Sequence, residues 1–238
     1  MLCMTYGFMN AAPEAQRRTN HLAMFVKNSL AYIDDIQIKH YMDEGIDGII
    51  ESLERLAEYC VEKNIQLNPT KFYPATDEHD SFGFNNSMIG EMVSDSYKRK
   101  LLAFAKPMTK KQMRSFDGVV NYVNNHVHNN KKLMYWLNKL KEEIDPETKH
   151  KRLVWTKEAE LAWEQLQYLF NNLPMLHHPT REGMFCIKVD ACNYGVGAEL
   201  YQDQSEEGQE ANWVLVDMWS KVMPTQLRHC HSMIHEAY

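Results

Sequence analysis

The chain has 238 residues, 26 basic and 32 acidic side chains, a net charge of −6 and 44% hydrophobic residues. These are the proportions of a globular protein of one or two domains with a sizeable core. No apolar run reaches membrane-spanning length, and the opening MLCMTYGFMN lacks the basic and apolar blocks of a secretion signal, so a soluble protein, intracellular and not secreted, is expected.

The first predicted element is a hairpin around LAYIDDIQIKH, where Asp34 and Asp35 stand side by side between the short β-type runs Tyr32-Ile33 and Ile36-Gln37-Ile38. Adjacent carboxylates on a stiff scaffold repel each other. Two readings are open: a solvent-exposed acidic turn, or a site at which divalent cations neutralise the pair. Mg²⁺ takes hard oxygen ligands, one or two of them carboxylates, beside substrate phosphates. Residues 43–63 then read as an amphipathic helix, with Ile46, Ile49, Ile50, Leu53, Leu56, Ala57, Cys60 and Val61 on one stripe, Asp43 as N-cap and Asn64 as stop. IQLN, KFYP, SFGF and SMIG read as short β-type pieces around Pro69-Thr70 and Asn85-Asn86, completing a small α/β unit.

Three helices are predicted between Ser94 and Leu140, one of them opening with the capping box Thr109-Lys110-Lys111-Gln112. Leu101, Phe104, Met113, Phe116, Leu133 and Leu137 mark their inner faces. From Lys98 to Arg152 there are 14 basic and 5 acidic residues, +9, while the remainder carries 12 and 27, −15. Such asymmetry fits a polyanion-binding module; a solvated helical face is the alternative. EEIDPETKHK reads as a linker. Residues 156–171 form a further helix capped by Thr156, with Ala159, Ala162, Trp163, Leu166, Leu169 and Phe170 on its inner face.

Beyond Pro174 the period falls to two. Phe185, Ile187 and Val189 share one face of a strand, and Cys186, Lys188 and Asp190 share the other. The glycines of NYGVGAEL are expected to make a tight turn into a second strand, NWVLVDMW supplies a third, and HSMIHEAY reads as the start of a helix. The full G-x-G-x-x-G needed for a dinucleotide fingerprint is absent. Cys3, Cys60, Cys186, Cys192 and Cys230 are odd in number and form no C-x-x-C pair, which points to reduced thiols rather than disulfides or zinc. His229-Cys230-His231 lacks ligand spacing, because alternation turns Cys230 away from both histidines. His126, His128, His177 and His178 read as surface or capping residues, and Trp155, Trp163, Trp213 and Trp219 as core.

Taken together these stretches resemble one family. YIDD resembles the Tyr-x-Asp-Asp box of reverse transcriptases, and TYGFMNAAPEAQ resembles the aromatic-Gly-x-x-Asn-Ala-Pro segment that floors the nucleotide pocket. LNPTKF and SFGF are similar to later strands of the palm, the latter to the primer grip. PMTKKQMRSFDGVVNYV resembles the thumb of gypsy-type long-terminal-repeat retrotransposons, with Asp117 where an apolar residue is usual. LVWTKEAELAWEQL and KVDACNYGVGAELYQ resemble the connection and the opening of ribonuclease H. The motifs stand in the family's order and approximate spacing.

The resemblance implies an α/β (α+β) fold: a partial palm over 1–93, a basic helical thumb over 94–145, a connection over 146–178, and a truncated ribonuclease H-like mixed sheet over 179–238. It implies an RNA-directed DNA polymerase and ribonuclease H by descent, using two-metal phosphoryl transfer with Mg²⁺, or Mn²⁺ as substitute. Asp34, Asp35, Asp190 and Glu236 would be its catalytic and metal-binding residues. Tyr6 and Gly7 would contact the nucleotide; Tyr32, Phe82, Gly83, Lys110, Lys111 and Arg114 would contact nucleic acid. The implied partners are an RNA template, a DNA primer, RNA–DNA hybrid, deoxynucleotides and the rest of a polyprotein, with no membrane, in a cytoplasmic particle or the nucleus. The family's further palm aspartate and later nuclease aspartates have no counterpart in the sequence, so the chain by itself is expected to be inactive. The alternative is a catalytically dead, retroelement-derived nucleic-acid-binding protein.

Overall fold

In the computed structural model residues 9–40, 44–142, 152–206 and 208–224 are described. The fold divides into two compact units, 1–76 and 77–238. No helix among the described residues is long and apolar enough to cross a membrane.

The first unit runs α1 (Ala11–Phe25), β1 (Ser29–Tyr32), β2 (Asp35–Ile38) and α2 (Gly45–Glu62). Helix α1 has no counterpart among the predicted elements. Pro13 is tolerated in its first turn, where its missing N–H costs no intrahelical bond. Arg17 and Arg18, one turn on, bond Glu14 and hold its carboxyl down to about 2. The β1–β2 hairpin is antiparallel, pairing Ser29 with Ile38 and Tyr32 with Asp35. Leu22, Val26, Leu56, Tyr59 and Cys60 are buried together, with Ile36, Ile38 and Ile65 packed against them. Helix α2 thus uses only part of its apolar stripe: Ile46, Ile50 and Val61 face solvent. The expected cap Asp43 lies outside the described residues. IQLN and KFYP are not strands; the chain there makes a short 3₁₀ turn over Pro69–Lys71, capped by Asn68. Among the described residues no strand pairs with them, so their β-type composition has no ladder to join.

The second unit opens with three antiparallel strands, β3 (Glu78–Ser81), β4 (Phe84–Ser87) and β5 (Gly90–Val93). Helices α3 (Asp95–Leu102), α4 (Lys110–Tyr122), α5 (Asn130–Lys139) and α6 (Lys157–Asn171) follow, with a 3₁₀ turn over Asn124–His126 before α5. The two expected caps are present: Thr109 and Gln112 close a capping box, and Thr156 accepts from Ala159 N–H; Ser94, not singled out in the sequence as a cap, accepts from Tyr97 N–H. A short strand missed in the sequence, β6 (Leu176–His177), returns to pair with β5, giving the sheet order β3-β4-β5-β6.

The helices meet around Phe116, which is fully buried against Phe104, Trp163 and Phe170 with ring centroids 4.9–6.3 Å apart. Leu101, Met113, Leu133, Leu137, Ala159, Ala162 and Leu166 complete this core, as their spacing predicts. Asp117, set where an apolar residue is usual, accepts bonds from Lys141 Nζ (2.6 Å) and Asn138 Nδ2 (3.2 Å). The half-buried charge is thereby paired rather than left bare.

The last sheet has the order β7 (Phe185–Cys192), β8 (Gly195–Asp203) and β9 (Trp213–Val222), all antiparallel. Asn193 and Tyr194, not the glycines, form the β7–β8 turn, since Gly195 already pairs with Cys192. Two expectations change here. Trp213 and Trp219 are 43% and 50% exposed rather than core. His126 is buried at 2% exposure rather than on the surface.

Candidate metal and nucleic-acid sites

In the first unit Asp34 and Asp35 sit at the tip of the β1–β2 hairpin, both exposed. Pairing of Tyr32 with Asp35 leaves Ile33 and Asp34 as a two-residue turn. Ile33 adopts φ +54°, the left-handed region, where a β-branched residue is a genuine outlier. Positive φ at only the first central position of such a turn is the arrangement that normally takes glycine. Helix α1 holds it. Gln16 accepts the Ile33 N–H at 2.8 Å through Oε1 and donates to the Ala31 carbonyl at 2.9 Å through Nε2.

The two adjacent carboxylates fit the hard-oxygen demand of Mg²⁺, which often takes one or two protein carboxylates and completes its shell with phosphates and water. Among the described residues no third His, Cys, Asp or Glu gathers with them. Tyr32, beside them on β1, is 59% exposed, and Tyr6 and Gly7 lie outside the described residues.

In the second unit Phe82 and Gly83 form the β3–β4 turn, with φ +52° and +81°. Gly83 lies against Tyr97 of α3: a Cβ there would stand 2.9 Å from the ring. Tyr122 of α4 donates its hydroxyl to the Phe82 carbonyl, and Ser94 N–H donates to the Gly83 carbonyl at 2.9 Å. The Phe82 side chain remains 39% exposed above this pinned backbone. Lys110, Lys111 and Arg114 lie on the first turns of α4, Lys111 and Arg114 exposed and Lys110 half-buried, while Met113 and Phe116 of the same helix are buried.

Asp190 stands on β7 opposite Gly197 of β8, and Lys188 stands opposite Glu199. The loop ahead of α5 reaches this face. His128 Nδ1 bonds Glu199, Asn129 Nδ2 donates to Asp190 Oδ2 at 3.2 Å, and Ser220 of β9 donates to Asn130 Oδ1 at 3.0 Å. Three consecutive residues thus engage three strands. Glu199 also accepts the Tyr201 hydroxyl at 2.9 Å, and burial, followed by this bond, pushes the Tyr201 phenol up. A cavity of about 70 Å³ lies between the loop and the sheet, lined by His128, Asn129, Asp190, Gly197, Glu199 and Met218. Asp190 suits a hard cation in type, although no group of three ligating side chains forms around it among the described residues. Glu236 lies outside them.

Three positions here were not singled out in the sequence: Gln16, His128 for its bond, and Asn129. The legible signal was the doublet Asn129-Asn130, since asparagine tolerates the left-handed backbone that Asn129 adopts at φ +48°.

Residues 155–238 match the model of an RNase H-like domain found in reverse transcriptase. Related sequence extends over most of the chain. It is 28% identical over 200 residues to Polyprotein P3 of Commelina yellow mottle virus, covering 83% of the chain and 10% of that protein. It is 25% identical to the Pro-Pol polyprotein of Simian foamy virus type 1, covering 78% and 16%, and 25% identical to the Transposon Tf2-3 polyprotein of Schizosaccharomyces pombe, covering 87% and 15%. The chain therefore spans about a tenth to a sixth of these polyproteins' length.

Solved structures of the foamy viral protease-reverse transcriptase share the fold. The complex with dsDNA gives a TM-score of 0.72 at 18% identity over 97% of this chain and 46% of that one. The complex with RNA/DNA hybrid gives 0.73 at 18% identity over 98% and 30%.

Proposed function

We propose that the chain is the palm, thumb, connection and nuclease-opening stretch of a retroelement reverse transcriptase, and that its Tyr32-Ile33-Asp34-Asp35 turn is the polymerase metal site. One observation carries this reading: a β-branched residue is held in a left-handed turn by a dedicated glutamine, at the point where two carboxylates are presented together. Backbone strain of this kind costs on the order of 1–3 kcal/mol and clusters at functional sites.

In this reading Asp34 and Asp35 would hold Mg²⁺, Asp34 as the more direct ligand, and the ion would supply charge stabilisation for phosphoryl transfer. Gln16 keeps the turn in shape. Phe82 and Gly83 serve as the primer grip, through a backbone that Tyr97 and Tyr122 immobilise. Lys110, Lys111 and Arg114 contact template–primer phosphates, adding affinity without base selectivity. Asp190, with Glu236, belongs to the nuclease metal site. The proposed division is palm 1–93, thumb 94–145, connection 146–178 and nuclease 179–238. Complexes of the foamy viral relatives with dsDNA and RNA/DNA hybrid support a nucleic-acid partner, with deoxynucleotides as the further substrate. With two carboxylates at each proposed site, the chain alone is read as inactive.

The test is Asp34→Asn in a full-length parent polyprotein. Mg²⁺-dependent DNA synthesis on an RNA template should be abolished while hybrid binding stays near parental, because the change removes charge stabilisation and not the phosphate contacts. Near-parental primer extension by Asp34→Asn would contradict the assignment.

A further inference from the structure

We infer that Asn129 is a positioning residue for Asp190, setting the carboxylate for a divalent cation from a loop outside the nuclease-like sheet; the inference rests on the metal-site reading of Asp190. Two features besides the 3.2 Å bond support it. Asn129 adopts φ +48°, a backbone that asparagine tolerates better than most residues, so both the turn and the donor ask for this side chain. Gly197, opposite Asp190 on β8, leaves the space that Asn129 fills: a Cβ there would stand 2.1 Å from Asn129 Oδ1.

The loop has its own anchors. Ser220 bonds Asn130, which is fully buried, and Tyr194 at the β7–β8 turn stacks on Tyr135 with centroids 4.8 Å apart and lies 5.0 Å from Trp136. The donor therefore approaches Asp190 from a fixed base. A carboxylate offers about four acceptor sites, so one bond from Asn129 fixes its rotation and leaves capacity for a cation. Groups that orient a metal ligand in this way typically govern affinity by about 10–100-fold.

The experiment is a Mn²⁺ titration of the isotope-labelled full chain, read as paramagnetic broadening of the backbone amide signals around Asp190. The Tyr194 ring signals serve as the check that the sheet remains docked. Saturable broadening is expected in the parent. Asn129→Gly, which keeps the left-handed backbone but loses the donor, should move the midpoint about 10–100-fold higher. Gly197→Ala should do the same by displacing an unaltered Asn129, which covers the case in which Asn129→Gly undocks the loop. Ser220→Ala, which loosens the loop's anchor but keeps the Asn129 donor and Asp190, should move the midpoint by less than either. A parental midpoint in a docked Asn129→Gly or Gly197→Ala chain overturns the positioning role, and so does an equal loss in Ser220→Ala. Absence of broadening in the parent overturns the metal reading of Asp190 itself.

Discussion

His126 brings an ionisable ring into the second unit at 2% exposure, 5.3 Å from the Phe84 ring, with Glu91 Oε1 3.7 Å from its Nε2. Burial pushes its pKa below the ordinary histidine value, and Glu91 and Asp217 offset this only in part. In the unfolded chain the same ring takes up a proton near pH ~6.5. Below that value the unfolded state binds the proton that the folded state refuses, so this contribution to stability is present above it and is lost as pH falls through it towards the folded pKa. Urea midpoints should therefore drop on acidification across that window, and His126→Leu should flatten the dependence. Equal slopes in parent and variant would remove His126 from the account. The alternation of polar and apolar residues in NNHVHNN hid this burial: a histidine in a 3₁₀ turn gives no period from which its inward face can be read. Asp117 behaves oppositely. Its departure from the family pattern was visible, but its partners Asn138 and Lys141 stand 21 and 24 residues away, and only packing reveals them.

The elements that announced themselves carry both an apolar period and an end signal. Helix α4 has Thr109-Lys110-Lys111-Gln112 at its start and Met113, Phe116 and Val120 buried on one face; helix α6 has Thr156 and its stripe. Helix α1 has a single fully buried side chain, Leu22, and no side-chain cap, which is why the period was faint. The two-residue strand β6 is too short to show alternation at all. At the other extreme, IQLN and KFYP have strand composition without strand partners. On α4 the cap and inner face together direct Lys111 and Arg114 outward, and this gives the +9 segment a testable role. Replacing Lys110 and Lys111 with Gln should weaken hybrid binding with little sequence dependence and lower the salt slope by about one to two units if both contact phosphates. An unchanged slope would return this face to ordinary solvation.

On the scale of the whole molecule, the family resemblance was legible because each motif keeps its place along the chain; the match to the reverse-transcriptase RNase H-like domain runs over 155–238 and so takes in much of the stretch read as connection as well as the expected nuclease part. Face and partner were less legible. Phe185, Ile187 and Val189 do share a face of β7, yet they are 53%, 66% and 47% exposed, and Trp219 beside them is half exposed. Alternation identifies which residues point together; it does not say what covers them. The opposite face, with Asp190 and Glu199, meets the His128–Asn130 loop, a contact between residues some 60 to 90 positions apart that no local pattern encodes.

The central proposal is that Asp34-Asp35 and Asp190 belong to metal sites, around neither of which three ligating side chains gather among the described residues. Two-metal catalysis holds its ions about 4 Å apart and needs ligands for both. The direct measurement is purified 238-residue monomer, shown to be folded, assayed with Mg²⁺ and with Mn²⁺ for primer extension on an RNA template and for RNA cleavage in an RNA–DNA hybrid. The expected result is salt-dependent hybrid binding without turnover in either assay. Turnover that disappears with Asp34→Asn or Asp190→Asn would show that the present carboxylates suffice, and would contradict it.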